Sequence, residues 1–264
     1  MSNKIIAHYE DYTNRRGEDN RASTASRSDS LEFYYTKKAL SEYITPNCRV
    51  LEVGCGTGYY AMHFADKCKK YVGVDLFQPH VDIFNRKIAE RGLKNVSCTQ
   101  GDATNLSEIA DNSFDIVLCL GPMYHLPPEG RELVFAECAR VCKSGGIAAF
   151  AYVNKVGLYA GACIIMEDIY PNKFANETVL RQGINDENPG IFFFTMPEEM
   201  EATASKHGLT KIRNMGTDFF ITKNVVDKMD DEKFEIFMEL MDEMVNYESC
   251  TGMSNHALLI CRKK

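Results

Sequence analysis

A chain of 264 residues, 45% hydrophobic and 25% charged, is long enough for one large domain and apolar enough for a sizeable core. Its 30 Lys and Arg against 37 Asp and Glu leave a net charge of −7, which opposes the counterion-release attraction of nucleic-acid binders and favours small or neutral partners. Ten scattered cysteines without a CxxC pair suit reduced thiols of a cytoplasmic protein, and with no signal core in MSNKIIAHYEDY and no bilayer-length apolar run, neither export nor membrane insertion is expected.

Residues 1–30, including NRRGEDNRASTASRSDS, are polar and mixed in charge; alone they bury too little surface to order, yet they can close over a ligand as a lid. Tyr9, Tyr12, Arg21 and Arg27 are its candidate contacts. From Leu31 the apolar positions recur with helical spacing up to Ile44, behind Ser28, Asp29 and Ser30 as possible caps. RVLEV, YVGVD, NVSCTQGD, FDIVLCL and IAAFAYV then alternate with amphipathic helical segments. Strands apolar on both faces, repeated in βα units, predict a parallel sheet covered by helices. Residues 154–195 read as an insertion beside the active face that caps the acceptor site. A helix at PEEMEATASKHG, a strand at KIRNMGTDFF, an amphipathic helix at DDEKFEIFMELMDEMVNY and a last strand at HALLICR complete one domain over 1–264.

The stretch VLEVGCGTGYY breaks a buried strand with three alternating glycines, Gly54, Gly56 and Gly58, where missing Cβ atoms let backbone approach a ligand. A dinucleotide site calls for GxGxxG, and here the sixth position is Tyr59. Asp75 ends the second strand, where a carboxylate can accept both ribose hydroxyls. Asp102 ends the third, within reach of an adenine amino group. Together they describe an adenosine site without a phosphate cradle.

LEVGCGTG, GVDLF, GDATNL, FDIVLCLGPMYHL and RVCKSGG stand in the order and spacing of the motifs of the class I S-adenosylmethionine-dependent methyltransferases, which residues 31–153 resemble closely. LGPMYHL and SLEFYYTKKAL resemble bacterial small-molecule members related to the quinone-modifying group. The resemblance implies a Rossmann-like, doubly wound α/β fold, with a seven-stranded, mostly parallel sheet, an antiparallel final strand at SNHALLICRKK and helices on both faces. It implies S-adenosyl-L-methionine as cofactor and S-adenosyl-L-homocysteine as product. Glu52, Gly54, Cys55, Gly56 and Gly58 would surround the methionine part and Asp75 the ribose. Leu76 and Phe77 would pack near the adenosine, Asp102 and Ala103 would flank the adenine, and Leu120 and Gly121 would approach the methionine end.

Methyl transfer is an in-line displacement at the sulfonium methyl, helped chiefly by positioning and by a base where the acceptor carries a proton. Tyr124 and His125 fall on the loop expected beside the methyl. His125 titrates near neutrality and can act as the base, or it can hold the loop through a backbone hydrogen bond. Gly121-Pro122-Met123-Tyr124 lacks the amide or carboxylate of enzymes that methylate nucleic-acid bases. Tyr9, Tyr12 and Tyr152 offer aromatic faces to the acceptor, and Arg27 a clamp for a carboxylate. Two thiols on one helix face, Cys138 and Cys142, make no metal site. The reading is methyl transfer to O or N of a small molecule, by a monomer or homodimer. The alternatives are a quinone-like carbon, a protein side chain, or cofactor binding without turnover.

Overall fold

The computed structural model of the chain describes residues 2–16, 26–165, 172–184, 190–219 and 225–264. Its strands are β1 (Arg49–Val53), β2 (Lys70–Asp75), β3 (Val96–Gln100), β4 (Phe114–Cys119), β5 (Cys142–Val153), β6 (Leu209–Gly216) and β7 (His256–Lys263). They form one seven-stranded sheet in the order β3-β2-β1-β4-β5-β7-β6. Pairings from β3 across to β5 are parallel, and β7 runs antiparallel to both β5 and β6. The doubly wound sheet with its reversed last strand is therefore as the sequence implies.

Strand alternation divides the core into two layers. Val50, Ile116, Leu118, Ala149 and Ile260 face one side with Leu31, Tyr35, Phe64 and Phe84. Leu51, Val53, Val117, Phe150 and Leu259 face the other with Val134 and Phe135. Neighbouring residues of one strand serve opposite layers, so the strands are apolar throughout.

Among the described residues, the α-helices of six residues or more are α1 (Ser2–Arg16), α2 (Arg27–Leu40), α3 (Tyr59–Phe64), α4 (Gln78–Glu90), α5 (Pro128–Val141), α6 (Pro197–Lys206) and α7 (Asp231–Met244). α2 starts earlier than its apolar spacing indicates. Ser26 is the cap, its hydroxyl accepting from the Asp29 N–H at 3.2 Å, because Ser28 and Ser30 donate theirs to Asp227 and to the Arg27 carbonyl. On α7 Met241 is buried, and Phe237, Met238 and Met244 pack against the layer that holds α2.

One segment departs from expectation. The polar amino terminus contains a four-turn helix, α1, which orders by burying Ile5 against the body of the protein. Among the described residues of 154–195, Val179 and Phe194 form a small cluster with Val153, against which Tyr124 of the loop after β4 and Phe192 pack. Strand order reverses between β1 and β4, so the carboxyl ends of β1 to β4 open onto one crevice.

Candidate functional site

The crevice begins where β1 breaks. Gly54, Gly56 and Gly58 are all left-handed, at φ +71, +52 and +83. Their surroundings separate them. A Cβ on Gly54 would lie 2.4 Å from the Pro122 ring and one on Gly58 2.4 Å from Phe84, whereas one on Gly56 meets nothing within 4 Å. Gly58 thus serves the packing of α3 on α4 and does not line the cavity. Gly54 lets the loop after β4 lie against the turn, and Gly56 leaves bare space.

Three acidic residues lie at or just beside the carboxyl ends of the first three strands: Glu52 within β1, Asp75 at the end of β2 and Asp102 just past β3. Asp75 is 8% exposed. Its Oδ2 accepts from the Gly56 N–H at 2.7 Å and its Oδ1 from the Phe77 N–H at 3.0 Å, with His80 Nδ1 at 3.5 Å. These bonds fix the carboxylate and leave each oxygen a lone pair. Glu52 is 1% exposed, its Oε2 accepts from the Tyr71 hydroxyl at 2.7 Å, and burial pushes its pKa up to about 8. It is a neutral acid at neutral pH unless a cation approaches. Asp102 is exposed, and its Oδ1 takes both the N–H and the hydroxyl of Thr104.

After β4 the chain turns through Pro122–His125, which carries Tyr124 and His125. His125 Nδ1 lies 2.8 Å from the Ile191 carbonyl, and a carbonyl only accepts, so Nδ1 bears the proton. Nε2 then accepts from the Tyr9 hydroxyl of α1, also at 2.8 Å. Burial lowers the His125 pKa to about 4, and the ring is neutral at physiological pH. The Phe193 N–H donates to the Tyr124 carbonyl at 2.8 Å. Residues 190–195 therefore brace this turn from behind. None of the described residues of 154–195 lines the cavity.

The cavity measures about 540 Å³. Glu52, Gly54, Cys55, Gly56, Asp75, Leu76, Phe77, Asp102, Ala103, Leu120 and Gly121 all line it, as do Tyr124, His125 and Tyr9. Arg27 and Tyr152 do not. Arg27 donates to the Met229 carbonyl at 2.6 Å, pairs with Asp231 and lies over Phe234, tying α2 to α7. Tyr152 is 1% exposed inside the sheet layer facing α5, its hydroxyl donating to Asn214 Oδ1 at 2.8 Å. Tyr12 falls on α1, but its side chain, like Arg21, lies outside the described residues. Sequence reasoning missed Glu32, Lys37, Tyr60 and His80, which also line the cavity. His80 had a signal in its place, one turn into α4 behind Asp75.

Residues 50–146, which hold this turn, the acidic strand ends and the Tyr124–His125 loop, match a family model described as a methyltransferase domain. Over these residues the chain is similar to methyltransferase domains, and the curated relatives it matches include quinone-modifying enzymes. The chain is 32% identical to ubiquinone biosynthesis O-methyltransferase of Hahella chejuensis over 125 residues, 47% of this chain and 49% of that protein. It is 30% identical to the protein of the same name from Pseudomonas fluorescens over 167 residues, 61% of this chain and 64% of that one. It thus spans about half to under two-thirds of these curated relatives. Magnesium protoporphyrin IX methyltransferase from Synechocystis PCC 6803, solved with bound SAH, shares the fold, with a TM-score of 0.62 at 13% identity over 98% of this chain and 100% of that one. Among the described residues no helix is long and apolar enough to cross a membrane.

Proposed function

We propose that the chain binds S-adenosylmethionine and transfers its methyl group in line to an O or N atom of a small molecule, releasing S-adenosylhomocysteine. The observation that carries this reading is Asp75. It is a carboxylate held by two backbone N–H groups at the end of β2, opening onto a cavity whose glycine turn is bare at Gly56 and has no third open position for a pyrophosphate. That suits a ribose whose neighbour is an amino acid better than a dinucleotide.

In this reading Asp75 accepts the ribose hydroxyls, and Leu76, Phe77 and Ala103 enclose the adenine beside Asp102. Glu52 meets the cationic amino end, while Lys37, within 3.2 Å of the Tyr59 hydroxyl, stands ready for a carboxylate. When bound, the cofactor supplies an electrophilic methyl on sulfur. The chain excludes water and positions the acceptor, which can contribute roughly 7 to 11 kcal/mol. Tyr124 presents its ring to the acceptor. His125, with Nε2 engaged by Tyr9 and a pKa of about 4, is a weak base and acts as a positioning residue that holds α1 over the cavity. A lid of this kind favours a small acceptor, as the net charge of −7 disfavours nucleic acid. Ten unpaired thiols, eight of them buried, suit the cytoplasm.

Calorimetric titration with S-adenosylmethionine and S-adenosylhomocysteine, with NAD as control, tests the reading. Both should bind in the micromolar range and NAD should be silent, and Asp75→Ala should weaken both by ~10- to 100-fold, the loss of charged hydrogen bonds. Binding of NAD alone would overturn it.

A further inference from the structure

We infer that Tyr9 bars a gate over the cofactor half of the cavity, so that S-adenosylmethionine enters and S-adenosylhomocysteine leaves only while α1 is lifted, an inference that rests on the proposed function. In the sheet β1 lies between β2 and β4, so the glycine turn after β1 has two banks, the start of α4 behind β2 and the loop after β4. Tyr9 meets both. Its ring stacks on Phe77, 6.4 Å between centroids and 29° between planes, and takes His80 edge-on at 5.1 Å. Its hydroxyl donates to His125 Nε2 on the opposite bank at 2.8 Å. His80 Nδ1 is 3.5 Å from Asp75 Oδ1, so one end of this bar stands beside the carboxylate assigned to the ribose. A ligand that reaches from Asp102 past Asp75 to Gly121 lies under the span.

The bar is lightly held. Of the α1 side chains described, Ile5 alone is buried; Ile6, His8 and Tyr9 are half-buried and the rest are exposed. A second support comes from His8, which packs edge-on to Phe192 at 5.3 Å, and Phe192 lies 5.1 Å from the His125 ring. A helix with so few apolar contacts opens at a fraction of the cost of global unfolding, and a single hydrogen bond is a large share of what keeps it down.

All of these contacts are made within the chain, so the bar closes with or without a ligand, and a ligand passing in either direction meets it. A gate differs from a binding contact in its kinetics. Loss of a contact speeds departure alone, whereas loosening a gate speeds arrival and departure together and leaves the affinity nearly where it was.

The test follows S-adenosylhomocysteine binding to the immobilised full chain by surface plasmon resonance, for wild type, Tyr9→Phe, His125→Leu and the double variant. Tyr9→Phe keeps the ring on Phe77 and removes only the hydroxyl, so association and dissociation should both quicken by ~3- to 10-fold, the worth of one hydrogen bond, with Kd within about 2-fold of wild type. His125→Leu removes the acceptor of the same bond, and adding Tyr9→Phe to it should quicken exchange no further. A variant that merely weakened the fold would not raise the association rate. Unchanged rates in Tyr9→Phe, faster dissociation alone, or the full Tyr9→Phe effect in the His125→Leu background overturn the inference and leave the cofactor reading intact. Failure of S-adenosylhomocysteine to bind wild type overturns both.

Discussion

Acid should release the lid through His125, and the size of the effect follows from its surroundings. The residue is 5% exposed, with Nδ1–H given to Ile191 and Nε2 taken by Tyr9. Burial, only partly offset by the Ile191 bond, lowers its pKa from 6.5 to about 4. In the unfolded chain the same ring takes up its proton near the ordinary value. Between that value and about 4 the unfolded state therefore binds a proton the folded state refuses, and stability falls as the pH falls. The group's contribution is complete above pH 6.5 and is lost on the way to about 4, roughly 3 kcal/mol in all. Urea unfolding of wild type and His125→Gln, followed between about pH 7.5 and 4.5, isolates this term from the carboxylates that titrate in the same range. Glutamine keeps a donor and an acceptor but cannot titrate. The stability difference, wild type minus variant, should shrink by about 2.5 kcal/mol across the window. Parallel profiles would refute a buried neutral imidazole. In the same experiment Tyr9→Phe should cost about 1 kcal/mol and make α1 more sensitive to protease.

The glycines should part company on substitution. Gly58→Ala, which meets Phe84 at 2.4 Å with φ +83, should lower thermal stability by more than ~2 kcal/mol with or without ligand, while Gly56→Ala, at φ +52 with nothing within 4 Å, should cost only ~1 to 2 and act mainly on S-adenosylhomocysteine affinity. Glu52, with its pKa raised from 4.5 to about 8, makes the ligand-free protein lose stability as the pH rises through that window, and Glu52→Gln should flatten the slope. Binding of a cationic amino group near pH 7 should then expel a proton, seen as calorimetric heats that change with the ionisation enthalpy of the buffer; identical heats would count against an acidic Glu52. Tyr152→Phe, which breaks the 2.8 Å bond to Asn214 Oδ1, should cost ~1 to 2 kcal/mol in unfolding and leave cofactor affinity unchanged.

What the sequence made legible was local. Strand and helix periods, the glycine break after RVLEV and an acid at each strand end lie within short windows, and once the strands are parallel their carboxyl ends must share a crevice. The misreadings are of direction. Three alternating glycines look alike until Pro122 and Phe84 are in place, and only then does Gly56 emerge as the open one. Arg27 reads as a free cation because its partner, Asp231, lies 204 positions along the chain. Tyr152 was open to correction by parity alone, since it shares a strand face with Ala148 and Phe150, whose side chains fill the layer under α5. α1 was hidden differently. Ile5, Ile6 and Tyr9 are spaced for one helical face, but the polar run after them dominates the composition, and the ring that receives the Tyr9 hydroxyl is 116 positions away. The cavity wall at the strand ends is thus written in neighbouring residues, because backbone turns make it. The rest of the cavity wall comes from α1, α2 and the loop after β4, which meet only in the folded chain. Glu32 on α2 illustrates the difference: nothing around it in sequence marks it, and only the folded chain puts it on the wall of the cavity with Tyr60 of α3 and Tyr124 of the loop after β4.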